Sequence, residues 1–134
     1  MLRVYIAGPI SKGDVKANIT RGIETGVKML KDGMCPYIPH MNGKLKAYDP
    51  FPDWAEGVLD YEVHWLDVCD VLFRLDGESA GADHEVRYAK AVGIPVYYED
   101  EYAQLVKMAT ETGPWTKMST VLDQQREDRD MAYD

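Results

Sequence analysis

The sequence predicts an α/β domain built on a parallel sheet of four to five strands with helices on both faces. Three observations predict it. Short β-prone apolar runs alternate along the chain with stretches of helical period. Glycine and proline punctuate the joins between them. The 134 residues are 46% hydrophobic and 28% charged, enough apolar material for one compact core without staples.

Leu2 to Ala7 is a buried-strand run closed by Gly8-Pro9. The polar loop Ser11-Lys12-Gly13-Asp14 leads into a helix in which Ile19, Ile23, Val27 and Leu30 recur at helical spacing, with Gly33 as its stop. Cys35 to Ile38 is a second short strand. Pro39 to Pro52 reads as an irregular segment, long enough for so small a domain to be functional or mobile. Helical spacing returns over Asp53 to Asp67 through Trp54, Val58, Tyr61 and Trp65. Val68 to Leu75 is the third strand, with Asp70 in a structural position near its start. A loop from Asp76 to Gly81 precedes a helix on Ala82, Val86, Ala89 and Val92, ended by Gly93. Ile94 to Tyr98 is the fourth strand and Glu101 to Thr110 a further helix. Gly113-Pro114 breaks the pattern, so the domain is drawn over 1–112. The charged tail, 113–134, is a short amphipathic helix (Met118, Val121, Leu122, Gln125) with a frayed end. Repeated strand-helix units of this kind make a doubly wound, flavodoxin/Rossmann-like sheet.

Charge and cysteine content narrow the function. The formal net charge of −8 repels a phosphate backbone and argues against a nucleic-acid polymer as partner, though not against a single nucleotide held by local amides. Two separate cysteines, Cys35 and Cys69, suit reduced core thiols. No apolar run approaches the ~20 residues of a membrane helix, and MLRVYIAGPI is too short and wrongly flanked for a signal peptide. A cytoplasmic protein with no membrane partner is expected. Three scattered histidines, without HExxH or a cysteine cluster, predict no metal, and no dinucleotide or Walker fingerprint predicts a cofactor.

In a doubly wound sheet ligands bind beyond the carboxyl ends of the strands, where strand order reverses. Two loops are expected at that edge. In Gly8-Pro9-Ile10-Ser11-Lys12-Gly13-Asp14, Gly8 lets a base or sugar lie against the backbone, and Ser11 with Lys12 can meet a phosphate. In Asp76-Gly77-Glu78-Ser79-Ala80-Gly81-Ala82-Asp83-His84-Glu85, two glycines allow close approach and Ser79 offers a hydroxyl. Glu85 is expected in the first turn of the following helix, where the macrodipole keeps a carboxylate ionised as a nucleophile requires. Taken by themselves these residues fit an ordinary stabilised helix start and commonplace loop glycines slightly better than a site.

A resemblance adds to this. Tyr5-Ile6-Ala7-Gly8-Pro9-Ile10, then Trp65 followed by Cys69-Asp70-Val71-Leu72-Phe73, then Gly77-Glu78-Ser79-Ala80-Gly81-Ala82-Asp83-His84-Glu85 with Gly93-Ile94-Pro95-Val96, is a pattern that resembles the nucleoside 2-deoxyribosyltransferase superfamily. That group includes the 2'-deoxynucleoside 5'-monophosphate N-hydrolases, and the likeness runs from about Met1 to Tyr98. It implies N-glycosidic bond cleavage, by hydrolysis or by transfer to another base, through a covalent intermediate on Glu85. It also implies that Tyr5 and Gly8 border the sugar and base, with Pro9 and Ile10 beside them. Ser79 and Gly81 match the Ser-x-Gly-x-x-x-Glu arrangement of the monophosphate hydrolases, and Ser11 a further phosphate-holding position. Glu62 stands where the family commonly has an aspartate that positions the nucleoside. Asp83 replaces a small residue and adds a charge that could raise the Glu85 carboxyl or supply a proton. Pro9 replaces a serine of the hydrolase branch.

His40, at the end of the second strand, and Asp76 complete the candidate binding residues, although His40 fits an ordinary surface or capping histidine as well. His84 lies about 100° around the helix from Glu85, and His64 reads as structural. Trp54, Tyr61 and Trp65 form a stripe read as core or subunit interface, whereas Tyr48 and Phe51 are the better base-stacking candidates. Arg74 could counter a phosphate if it faces the sheet edge. A homo-oligomer is expected, to cover the aromatic stripe. The rival function is a nucleotide-binding sensor without turnover, in which Glu85 only supports its helix.

Overall fold

The computed structural model describes residues 1–113 and 118–133. Its elements are β1 (Arg3–Ala7), α1 (Val15–Lys31), β2 (Cys35–Tyr37), a 3-10 segment (Pro39–Tyr48), α2 (Trp54–Leu66), β3 (Val71–Arg74), α3 (Ala80–Val92), β4 (Val96–Tyr98), a 3-10 turn (Glu99–Glu101), α4 (Tyr102–Thr112) and α5 (Met118–Tyr133). Four parallel strands lie in the order β2-β1-β3-β4, so the sheet is doubly wound. Among the described residues no helix is long and apolar enough to cross a membrane. Pro114, half of the expected break after α4, lies outside the described residues, as does the terminal Asp134.

Period-two alternation along the central strands divides the core into two layers. Val4 and Ile6 of β1, with Val71 and Phe73 of β3, pack against Met29 of α1 and Leu105 and Ala109 of α4. Tyr5 and Ala7, with Leu72, point the other way onto Leu66 of α2 and Ala82, Val86 and Ala89 of α3. Helices therefore cover both faces. The third strand is shorter than expected, because Val68 and Cys69 are still bonded to the last carbonyls of α2. Asp70 has the structural place expected of it: its amide donates to the Arg3 carbonyl and its carboxylate accepts from the Arg3 amide at 2.8 Å.

The stripe Ile19, Ile23, Val27 and Leu30 is not the buried face of α1; Ile23, Val27 and Leu30 are exposed, while Gly22, Gly26 and Met29 are buried. Close packing of backbone explains it. A Cβ at Gly22 would stand 2.4 Å from the His40 ring and one at Gly26 would stand 2.2 Å from Ile38, so the chain after β2 nests against the bare side of the helix. The segment from Pro39 is also more regular than expected, forming 3-10 turns up to Tyr48. Pro39 favours such a start, since its fixed φ suits the first position and its missing N–H is not needed there.

β1 and β3 are adjacent and their crossovers diverge, so the switch point lies between their carboxyl ends. The loops that follow them touch. A Cβ on Gly8 would meet Leu75 Cβ at 2.8 Å, and one on Gly77, whose φ is +119°, would meet Pro9 at 2.8 Å. Gly8→Ala is expected to cost about 1–3 kcal/mol in urea unfolding, as overpacking does. Gly43→Ala, with nothing within 4 Å, should stay within about 0.5 kcal/mol of the parent.

Candidate functional site

On the α2/α3 side of the switch point the sheet presents Tyr5, fully buried, whose hydroxyl donates to the Glu85 carboxyl of α3. Glu85 is only 5% exposed. Its place in the helix differs from expectation. Ser79 is the N-cap and α3 begins at Ala80, so Glu85 is its sixth residue, in the second turn, and Asp83 is the acidic residue of the first. Burial, not the helix dipole, sets its charge. Loss of hydration pushes Glu85 up to about 8; the Tyr5 hydrogen bond opposes this, Glu62 adds to it and Arg74 opposes it again.

Glu62, one turn from the end of α2, is the second buried carboxyl, and burial pushes it up to about 7 against a hydrogen bond from Asn42. Asn42 Nδ2 donates to Glu62 Oε2 at 2.9 Å and to the Tyr37 hydroxyl at 3.1 Å. Tyr37 is stacked between Tyr5 and Trp65, with ring centroids 5.5 and 5.6 Å away. Burial and the two carboxyls also raise the Tyr5 phenol far above its usual range, so it stays a donor. Four elements thus converge on one polar cluster: β1 brings Tyr5, α2 Glu62, α3 Glu85, and the 3-10 segment Asn42.

Of the expected catalytic residues, Glu85 and Glu62 are brought together and Asp83 is not. Its carboxylate is held at 3.0 Å by Arg74 Nη2 and is largely exposed, so the carboxyl that raises Glu85 belongs to Glu62. Arg74 is likewise not poised for a phosphate. Its guanidinium donates to the Leu75 carbonyl, to the Gly77 carbonyl at 2.9 Å and to Asp83, which pins the β3–α3 loop to the end of its own strand.

The expected binding residues divide in the same way. Ser79 Oγ accepts from the Ala82 amide at 3.1 Å as the α3 N-cap, a bond that uses a lone pair and not its hydroxyl hydrogen. Gly81 has no close neighbour that forbids a side chain, the nearest being Leu59 at 3.9 Å. Gly8 and Pro9 are buried between the two loops, Ile10 is half-buried with its carbonyl bonded to Asn18, and Ser11 is exposed at the edge. Asp76 is fixed through its backbone, its amide donating to Glu99 at 2.8 Å and its carbonyl accepting from Arg21 at 2.7 Å. Lys12 and Glu78 join the two loops by an exposed ion pair at 2.5 Å.

His40 is neither at the surface nor a cap. It is 2% exposed, wedged against Gly22, and neither ring nitrogen makes a well-formed hydrogen bond. Burial lowers it to about 4, so the neutral imidazole is the resident form; the nearby Pro9 carbonyl works against this and Arg21 with it. Phe51 packs on Trp54 and Tyr61, while Tyr48 is 83% exposed. Two hollows, along α1 (Asp14, Lys16, Thr20, Arg21) and between α1 and α4 (Thr25, Lys28, Tyr102), contain neither Glu85 nor Glu62. No group of three or more His, Cys, Asp or Glu among the described residues is arranged to hold a metal.

Sequence reasoning missed Asn42 and Tyr37. No spacing rule points to them, because their role arises where the 3-10 segment folds back over β2 and α2.

A carboxyl raised on folding binds its proton more tightly in the native state. The stability that this contributes is complete below its unfolded value of 4.5 and is lost as pH climbs towards about 8. Glu85→Gln, which keeps the shape and cannot ionise, should therefore gain on the parent as pH rises. Melting temperatures compared between pH 5 and 8.5 are expected to show a gap that widens in favour of the variant by the equivalent of a few kcal/mol.

No curated protein matches the chain. A family model described as a domain of unknown function, DUF7768, matches residues 2–99, which takes in β1 to β4 and every residue of the buried carboxyl cluster. The chain belongs to the DUF7768 family.

Proposed function

We propose that this protein cleaves the N-glycosidic bond of a (deoxy)nucleoside 5'-monophosphate, with Glu85 as nucleophile. The observation that carries the reading is the pair of buried carboxyls, Glu85 and Glu62, beside the switch point, with the Tyr5 hydroxyl bonded to Glu85. Displacement at an anomeric carbon needs one carboxylate to attack and one carboxylic acid to protonate the leaving group. Two buried carboxyls raised to about 8 and about 7 titrate as a unit near neutrality; Glu62 loses its proton first, so the reactive form, Glu85 ionised with Glu62 protonated, is the minor single anion of the pair.

In this reading a Glu85 oxygen attacks C1', the C1'–N bond breaks, and its electron pair leaves with the base, which takes a proton from Glu62. Water then adds at C1' and returns a proton to Glu62, releasing the sugar phosphate and restoring Glu85. If a second base captures the sugar instead, the outcome is transfer. Tyr5 supports the ionised nucleophile by its hydrogen bond. Asp83 is left out as proton donor because it is tied to Arg74. Ser11, the Ser79 hydroxyl hydrogen and the free amides of the first α3 turn, near Gly81, line the edge where a 5'-phosphate would lie. Since Glu85 is nearly closed off, the loops and the 3-10 segment must part to admit the sugar.

The resemblance described above supports the same chemistry. We place the enzyme in the cytoplasm, as a homo-oligomer in which the half-exposed Tyr61 and Trp65 are covered by another copy. The rival reading, a binding module without turnover, draws on one observation: a carboxyl raised to about 8 is mostly protonated at neutral pH and can simply hydrogen-bond a ligand.

A panel of nucleoside 5'-monophosphates followed by chromatography for free base separates the two. Base release is expected from the parent. Glu85→Gln should lower it by at least about a thousandfold, and Tyr5→Phe by roughly 10- to 100-fold, the worth of one hydrogen bond to a charged group. Saturable binding with no base released by the parent would establish the sensor instead.

A further inference from the structure

The Glu85 and Glu62 carboxyls lie in one desolvated cluster, and among the described residues each receives a single side-chain donor. Tyr5 donates to Glu85, and Asn42 donates to Glu62 at 2.9 Å. We propose that Asn42 is a positioning residue that decides which of the two buried carboxyls carries the negative charge, acting in opposition to the Tyr5 hydroxyl. The inference rests on the proposed function for its consequence in catalysis, but not for its test.

Two like charges this deeply buried do not both ionise easily, so a proton is shared between the sites and the pair titrates as a unit. A donor aimed at one carboxyl favours the anion there and, through the neighbour's charge, the acid on the other. The groups facing the pair are few: Tyr5 from β1, Tyr37 from β2, Asn42 from the 3-10 segment, Tyr61 beside Tyr37 on α2, and Arg74 at the end of β3. Arg74 is committed to the loop carbonyls and to Asp83. Tyr5 and Tyr37 stay protonated, burial raising both phenols, Tyr37 to about 12. Tyr5 and Asn42 are therefore the two opposed donors.

Asn42 suits the task because both its amide hydrogens are directed. One meets Glu62 and the other the Tyr37 hydroxyl at 3.1 Å, so the amide has a fixed orientation. The segment that carries it is anchored two residues earlier, where His40 is wedged against Gly22. In the proposed reaction Glu62 must hold a proton when Glu85 is ionised. Asn42 then keeps Glu62 from being too weak an acid to protonate the base, while Tyr5 keeps Glu85 able to lose its own proton.

The test is a pH titration of carbon-13-labelled glutamate side chains by NMR, with Glu62→Gln and Glu85→Gln used to assign the two signals. Asn42→Ala should move the Glu62 titration up by about one pH unit and the Glu85 titration down. Tyr5→Phe should do the reverse. Asn42→Leu, which fills the space left by the amide, serves if the alanine variant does not fold. Opposite movements of the two carboxyls sustain the proposal. Unchanged titrations in a folded Asn42 variant, or both carboxyls moving the same way, would overturn it and leave Asn42 a packing residue only. A protein that releases no base but shows the opposite movements would refute the proposed function and leave this inference standing.

Discussion

The buried hydrogen bond from Tyr5 to Glu85, on the α2/α3 face of the sheet, is the constraint around which the rest of this molecule is arranged. A carboxyl so enclosed would be costly as an isolated anion. The surroundings reduce that cost by letting it keep its proton near neutrality and by giving it a donor when the proton leaves. Glu62 and Asn42 repeat the arrangement on the adjoining helix. Enclosing two carboxyls in one small domain sacrifices stability at high pH.

The rest of the carboxyl edge is tied together by its own polar contacts. Arg74 draws the loop after β3 back onto its own strand, and Arg21 with Glu99 fixes the backbone of Asp76 from the opposite side. Gly8 and Gly77 allow the two loops to touch. Charges that look like ligand contacts in a linear reading are mostly spent on one another here. The exposed link between Lys12 and Glu78 is the weak member, since exposed pairs contribute little and are screened by salt.

The bare side of α1 belongs to the same construction. Gly22 and Gly26 bring the chain after β2 close enough for His40 and Ile38 to lock against the helix, and Asn42 follows within the same 3-10 segment. The helix gives up intrinsic propensity for that approach. What it gains is a fixed starting point for the segment that reaches across to Glu62.

The chain's own pattern was enough to determine the architecture. Alternating strand and helix periods and the glycine and proline breaks gave four parallel strands, helices on both faces, and the two loops at the switch point. Glu85 and Glu62 were legible as candidates through residue type and resemblance. Tertiary structure decided which charges meet. It paired Asp83 with Arg74, turned Ser79 into a cap, buried His40, and delivered Asn42 to Glu62. It also chose the glycine side of α1 over the apolar stripe. The physical reason is range. Secondary structure follows from neighbours within a few residues, whereas the charge of a carboxyl follows from hydration lost and donors gained across contacts between residues 20 to 80 apart in sequence.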